Sequence, residues 1–287
     1  MCCATSPADR WRRFPGARSW QTSPVPEGHT LHGLARDQQR HFAGRTVWVS
    51  SPQGTFAAGA AMLDRQVLNA VTAHGKHLFA AFGENIVHVH LGLFGKYTDG
   101  TGPPPEPRGA LRMRWVVDDH WTDLRGPTAC EVLSPPEVQA ILARLGPDPL
   151  SRRPNGDDAY GRIARSRAPI AGLLMDQSVL SGVGNVYRAE ILFRHRVVPY
   201  LPGRDLGRDR WTPLWTDLVT LMRQGLRSGR IVTTWPADRD RRHGYVRVED
   251  AHYVYRRTGL PCRICGTPIT MQLLNARKLY WCPACQS

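Results

Sequence analysis

Lysine is almost missing from this chain: three lysines, Lys76, Lys96 and Lys278, stand against 35 arginines in 287 residues. The skew follows GC-rich coding composition, and it excludes lysine as the main carrier of positive charge. It also marks each lysine that survives. A guanidinium grips phosphate as a bidentate fork and stays charged, whereas an ammonium can release its proton and shuttle it. Long apolar runs are missing too. The longest mild one, Phe56 to Leu63, falls far short of the roughly 18 residues a membrane helix needs, so a membrane-spanning helix is excluded. Residues 1–25 hold Arg10, Arg12, Arg13 and Arg18 with Pro and Ser but no apolar segment of a signal peptide. A secretory disulfide framework therefore lacks its setting. No internal repeat is visible.

What is present points to a folded binder of polyanions. The balance of 38 Lys+Arg over 24 Asp+Glu gives +14 and a pI near 10.1. An apolar content of 41% is too high for a disordered tail, and the length suits about two domains with cores of their own.

Four of the seven cysteines sort at once. Cys262, Cys265, Cys282 and Cys285 form C-x2-C, sixteen residues, then C-x2-C, the spacing of a four-thiolate zinc site on two turns of a β-hairpin. A redox site needs only one such pair, and the closed ligand set predicts one structural Zn2+. Cys2, Cys3 and Cys130 are read as incidental.

The pattern along the chain predicts an α+β protein. Residues 1–25 read as an extension, disordered or a mis-assigned start. From Glu27 an amphipathic helix carries Leu31, Leu34, Ala35 and Phe42, with Gly44 as its stop. Short strands follow at 46–50, 66–73, 77–82, 86–91, 110–118 and 121–124, giving a β-sandwich or barrel with a helix packed on it, over residues 26–148. Helices are expected at 137–145, 158–165, 170–179, 186–195 and 208–226, in a domain over 149–250 entered through the Pro/Gly-rich segment 149–156. The zinc hairpin closes the chain over 251–287, packed on the helices.

Within the helical region, Gln177 to Tyr187 places Gly182, Gly184 and Asn185 between two apolar helices. Alone, such a turn is ordinary punctuation. Beside the basic balance and the cysteine hairpin, phosphate binding by free N–H groups and Asn185 is the better reading. Together with Pro26-Glu27-Gly28-His29, the Gly75-Lys76-His77 turn and the block Asn275 to Pro283, it resembles the formamidopyrimidine-DNA glycosylase family. The closing block is most similar to the endonuclease VIII branch. The resemblance runs from Pro26 to Gln286 and implies a β-sandwich, a helix–two-turn–helix domain and a zinc finger, with damaged DNA in the cleft between domains.

The resemblance implies roles residue by residue. Pro26 matches the nucleophile, an N-terminal secondary amine that forms a Schiff base at C1′. Glu27 matches the acid, Lys76 the turn lysine of the β-elimination step, and Arg277 the hairpin arginine that clamps phosphate and assists δ-elimination. Leu93 matches the apolar wedge, Arg125 the residue that reaches the widowed base, and Arg144 and Asn185 phosphate contacts. Taken singly, Pro-Glu-Gly is an ordinary helix entry, Lys76 a solvated charge and Arg277 a brace for the hairpin; the joint occurrence at family spacing reverses this. Gly126 and Pro127 depart from the Arg-Phe of the purine-repair branch, which favours oxidised pyrimidines as substrates. His88 and His90 fall on one strand face, expected to meet DNA or solvent, with no third ligand nearby to make a metal site.

At position 26 of the chain the proline nitrogen is a tertiary amide, which cannot attack a sugar carbon. Val25 offers a resolution: a GTG codon read as an initiating methionine, later removed, would expose Pro26. Losing four arginines and one aspartate would lower the charge by three, to +11. The expectation is therefore a bifunctional DNA glycosylase and AP lyase, acting as a monomer in the cytoplasm with the nucleoid. If residues 1–25 are retained, a non-catalytic zinc-containing DNA-binding protein is expected instead.

Overall fold

The computed structural model describes residues 26–240 and 244–287; the expected extension 1–25 lies outside the described residues. Helix α1 (Gly28–Phe42) opens the fold, and its stripe of Leu31, Leu34, Ala35 and Phe42 is buried to 4% exposure or less. Nine strands follow: β1 (Thr46–Ser50), β2 (Gln66–Val67), β3 (Ala70–His74), β4 (His77–Phe82), β5 (Asn85–His90), β6 (Lys96–Thr101), β7 (Leu111–Val116), β8 (His120–Arg125) and β9 (Ala129–Leu133), with a short helix α2 (Ala57–Leu63) after β1. They form two antiparallel sheets, β2-β1-β7-β8-β6 and β3-β4-β5-β9. Val47, Met113, Trp115 and Leu124 of the first face Leu78, Ala80, Val87 and Val89 of the second in one core that α1 also enters. The sandwich with a packed helix is as the sequence predicts.

The helical half holds α3 (Pro135–Arg144), α4 (Asp157–Ile163), α5 (Ile170–Leu173), α6 (Asn185–Arg194) and α7 (Arg208–Ser228). Its core joins Tyr187, Ile191 and Leu192 to Leu214, Leu218 and Met222, and then to Leu279, Tyr280 and Trp281 of the closing hairpin. That hairpin is β10 (Thr270–Leu274) paired with β11 (Arg277–Trp281). Its two turn residues, Asn275 and Ala276, take positive φ of 49° and 58°, the twist that a two-residue connection between antiparallel strands favours. Gln286 closes the chain onto the helices, its amide donating to Val197 O at 3.0 Å. No helix among the described residues is long and apolar enough to cross a membrane.

Several elements differ from expectation. The predicted strand 66–73 is split into β2 and β3, while β6, β9 and α2 are additional. The helix predicted over 170–179 stops at Leu173. Asp176 Oδ1 accepts the N–H of Ser178 at 2.8 Å and its hydroxyl at 2.6 Å, a local side-chain turn that competes with helical bonding.

Candidate active site and DNA face

Glu27 sits immediately before α1 and is fully buried. Its carboxylate accepts the N–H groups of Gly184 at 2.9 Å, Val186 at 2.8 Å and Tyr187 at 3.4 Å, so it occupies the anion seat at the start of α6. The approach depends on two glycines. A Cβ on Gly184 would lie 2.4 Å from the Glu27 carboxyl carbon, and one on Gly28 would lie 2.9 Å from Gly182 Cα. Gly28 N–H donates to Gly182 O at 2.8 Å, stitching the two halves at the site. Burial drives the Glu27 carboxyl upward, and the Lys76 charge and the three N–H bonds offset it only in part, leaving it above its ordinary value. A carboxyl so placed holds a proton more readily than an exposed glutamate and can deliver it.

Lys76 lies on the β3–β4 turn and faces Glu27. Burial pulls its ammonium downward, Glu27 opposes this, and Arg277 and Arg188 pull it down further, so that it titrates below an ordinary lysine. The turn is pinned from behind by the buried Asp148, which accepts the Gly75 N–H at 2.7 Å and the Leu150 N–H at 2.8 Å and bonds His32 Nε2 at 2.7 Å. Burial pushes the Asp148 carboxyl up, but the His32 bond and charge and the two N–H bonds outweigh it and hold it low. Arg188, 1% exposed, donates to Asn185 Oδ1 and, at 3.0 Å, to Lys278 O. It thereby ties the start of α6 to the hairpin that carries the exposed Arg277. Burial, partly offset by Glu27 and reinforced by Arg277, draws Arg188 down to about 10. Half-buried Pro26 leads into Glu27, Lys76 faces Glu27, Arg277 and Arg188, and Arg188 brings in Asn185, so the five residues named from the motifs gather around Glu27.

A second group lies on the rim of the sandwich. Leu93 and Phe94 are 43% and 87% exposed, in the loop between β5 and β6, and Gly126 packs under the Phe94 carbonyl. Arg125 pairs with Lys96 in the β6–β8 register. It is held by Asp123 at 3.0 Å and by Thr98 at 3.0 Å, and Asp123 is itself gripped by Arg114 through bonds of 2.6 and 2.9 Å. Arg144, at the end of α3, is exposed.

The four thiolates predicted to hold zinc come together, with all sulfurs within 4.8 Å of one another. Cys262 and Cys285 lie 3.9 Å apart and Cys265 and Cys282 3.5 Å apart. A tetrahedral ion with Zn–S of about 2.3 Å requires S···S of about 3.8 Å, so the residues fit a structural Zn2+. The set is closed and leaves no position for a reacting water.

Comparison with known proteins agrees with this geometry. Residues 25–130 match the formamidopyrimidine-DNA glycosylase N-terminal domain, residues 145–236 the H2TH domain of the same glycosylase, and residues 259–287 the zinc finger found in FPG and IleRS. The chain is 51% identical over 268 residues to Endonuclease 8 1 of Mycobacterium tuberculosis, covering 92% of this chain and 100% of that protein. The chain belongs to the formamidopyrimidine-DNA glycosylase and endonuclease VIII family. It is also 33% identical over 236 residues to the formamidopyrimidine-DNA glycosylase of Geobacter sulfurreducens, covering 78% of this chain and 83% of that one. The crystal structure of the MutM (Fpg) protein of Thermus thermophilus superposes with a TM-score of 0.74 at 26% identity, covering 91% of this chain and 98% of that one.

For this member of the formamidopyrimidine-DNA glycosylase family, reading the sequence alone overlooks Asp148 and Arg188. Both stand outside the motifs that carry the resemblance, and only the fold shows that they position the Lys76 turn and Asn185. Phe94 is overlooked as well, although it projects further than the neighbouring Leu93. One expectation needs correction: His88 is 4% exposed and meets neither solvent nor DNA. Its ring is covered because β4 brings His77 alongside, with His77 Nδ1 2.8 Å from His88 Nε2.

Proposed function

We propose that Pro26 is the nucleophile of a bifunctional glycosylase and lyase that prefers oxidised pyrimidines in DNA. The class of activity follows from the family: the chain is a DNA glycosylase and AP lyase acting on oxidised bases. The observation that carries the assignment to this pocket is the buried Glu27, protonatable, next to Pro26 and coupled to Lys76.

In this reading the Pro26 nitrogen attacks C1′, the bond from C1′ to the base breaks, and the base leaves with its electron pair and takes up the proton that the nitrogen sheds. Glu27 donates a proton to the ring oxygen as the sugar opens, so that the nitrogen–carbon bond becomes an iminium. The iminium acidifies C2′–H; loss of that proton expels the 3′ phosphate, and a second elimination expels the 5′ phosphate. Lys76, easier to deprotonate than an ordinary lysine, moves protons in these steps. Arg277 and Asn185 hold phosphate, and Leu93 with Phe94 fills the space the turned-out nucleotide leaves. The pyrimidine preference is supported by Gly126 and Pro127 standing where the purine-repair branch has Arg and Phe.

The chemistry requires a free secondary amine at Pro26, hence a mature chain that begins there. The glycosylase-domain match that begins at residue 25 supports this. Borohydride trapping on an abasic oligonucleotide, with intact-mass measurement of the same preparation, tests the proposal. A covalent adduct at Pro26 is expected from the species lacking residues 1–25. Tight DNA binding without any adduct from that species would favour a non-catalytic DNA-binding protein.

A further inference from the structure

The outer face of the β3-β4-β5-β9 sheet carries a chain of titratable groups for which the reaction above has no use. Strand register pairs His77 with His90 and His88 with Glu131, so all four share the face opposite the buried Val87 and Val89. His77 Nδ1 lies 2.8 Å from His88 Nε2, and His88 Nδ1 lies 2.8 Å from Glu131 Oε1. The Glu131 side chain is 51% exposed and that of His88 5%, so the chain runs from solvent through a buried ring to His77. His77 directly follows Lys76 and is faced electrostatically by His90, His88, His74 and Arg144. Its Nε2 has no hydrogen-bond partner among the described residues.

The contacts admit two proton arrangements. The Glu131 carboxylate accepts only, so His88 Nδ1 carries a hydrogen. With one hydrogen between the two rings, His88 Nε2 is either bare or protonated. If it is bare, a neutral His77 donates from Nδ1 and its Nε2 is an acceptor. If one proton is added at His88, that ring donates from both nitrogens, His77 Nδ1 accepts, and His77 Nε2–H becomes a donor. Phosphate oxygens accept hydrogen bonds, so a DNA phosphate selects the second arrangement.

We infer that His77 is a further contact to the DNA backbone and that His88 and Glu131 are positioning residues that make this contact proton-linked. On binding, one proton passes from solvent to the relay, and it returns to solvent on release; no covalent bond to DNA is made or broken. Burial and the surrounding His90, His88, His74 and Arg144 draw His77 down to about 3, so an added proton does not rest on that ring, and the 2.8 Å contact of His88 with the Glu131 carboxylate is the geometry that accommodates it. The inference rests on the DNA-repair reading.

The test uses the full zinc-loaded protein and a duplex bearing an uncleavable tetrahydrofuran abasic analogue. Affinity is measured from pH 6 to 8.5 at several salt concentrations, with calorimetry in buffers of different ionisation heat. Wild type is expected to take up about one more proton than His77→Phe near neutral pH, and to lose up to about tenfold in affinity per pH unit where the relay titrates. Its salt slope should exceed that of His77→Phe by about 0.9. Glu131→Gln, at an exposed site that leaves the fold intact, should move the pH profile downward. His74, His90, Lys76 and Arg144 are common to all variants, so differences report the relay. Wild-type binding with equal proton uptake and salt slope in His77→Phe, or a pH profile unmoved in Glu131→Gln, would overturn the relay alone. Absent or salt-independent binding by wild type would overturn the DNA reading itself.

Discussion

Replacing Glu27 by Gln removes a proton donor while keeping its shape. The carboxylate accepts three N–H groups at the start of α6, and the amide oxygen of Gln can still accept from part of that set. Base excision needs the proton, so loss of general-acid help should slow it by about 10²–10⁴-fold, or about 3–5 kcal/mol in the barrier. Cleavage at a preformed abasic site already has an open or opening sugar and should lose far less. Single-turnover kinetics on two duplexes, one with dihydrouracil and one with an abasic site, separate the two. Stability supplies an independent check. Burial holds the folded carboxyl above 4.5, so the folded state binds more protons than the unfolded chain across that window. The stability this contributes is fully present below about pH 4.5 and is lost as pH rises through the folded value. Gln does not titrate, so the Tm of Glu27→Gln should gain on wild type as pH rises. Equal losses on both duplexes, or a Tm difference that moves the other way, would refute the assignment.

Lys76→Arg keeps the charge but not an accessible proton transfer; the salt slope of DNA binding should hold while lyase turnover falls by about 10²-fold, measured on a preformed abasic site. Asp148→Asn should cost about 1–3 kcal/mol by unsettling the Gly75 turn. Because the folded Asp148 carboxyl is held below 3.8, its stabilisation is present above that pH and lost as pH falls through the folded value, so wild type and variant should converge in acid denaturation. Phe94→Ala should cost about 1.5–3 kcal/mol in recognising a lesion within a duplex and little in a single strand, compared by excision rates on the two. Chelation should release one zinc per chain by elemental analysis, loosen the hairpin and abolish DNA binding through loss of the Arg277 position.

Local signals carried much of the architecture. The cysteine spacing, the α1 stripe and the bounds of β4 all follow from periodicity or ligand geometry confined to a few residues. Helix α2 escapes because Ala57, Ala58, Gly59, Ala60 and Ala61 give no amphipathic contrast, and β6 because Asp99 and Gly100 interrupt its alternation. Neither the Asp148–Gly75 bond nor the His77–His88 contact is visible in sequence, since both depend on which strands and loops become neighbours. The pocket residues named from motifs converge in space, but the groups that hold them in place are spread over distant segments.

Helix α1 packs on both β3 and α7 and starts at the Gly28–Gly182 bond, so the acid lies on the seam between the two cores. If the cores swing apart, water reaches Glu27, the effect of burial is relieved, and its carboxyl drops back toward ordinary acidity. The bond that joins the cores at Gly28 and Gly182 thus also keeps the Glu27 carboxyl a readier proton holder than an exposed one.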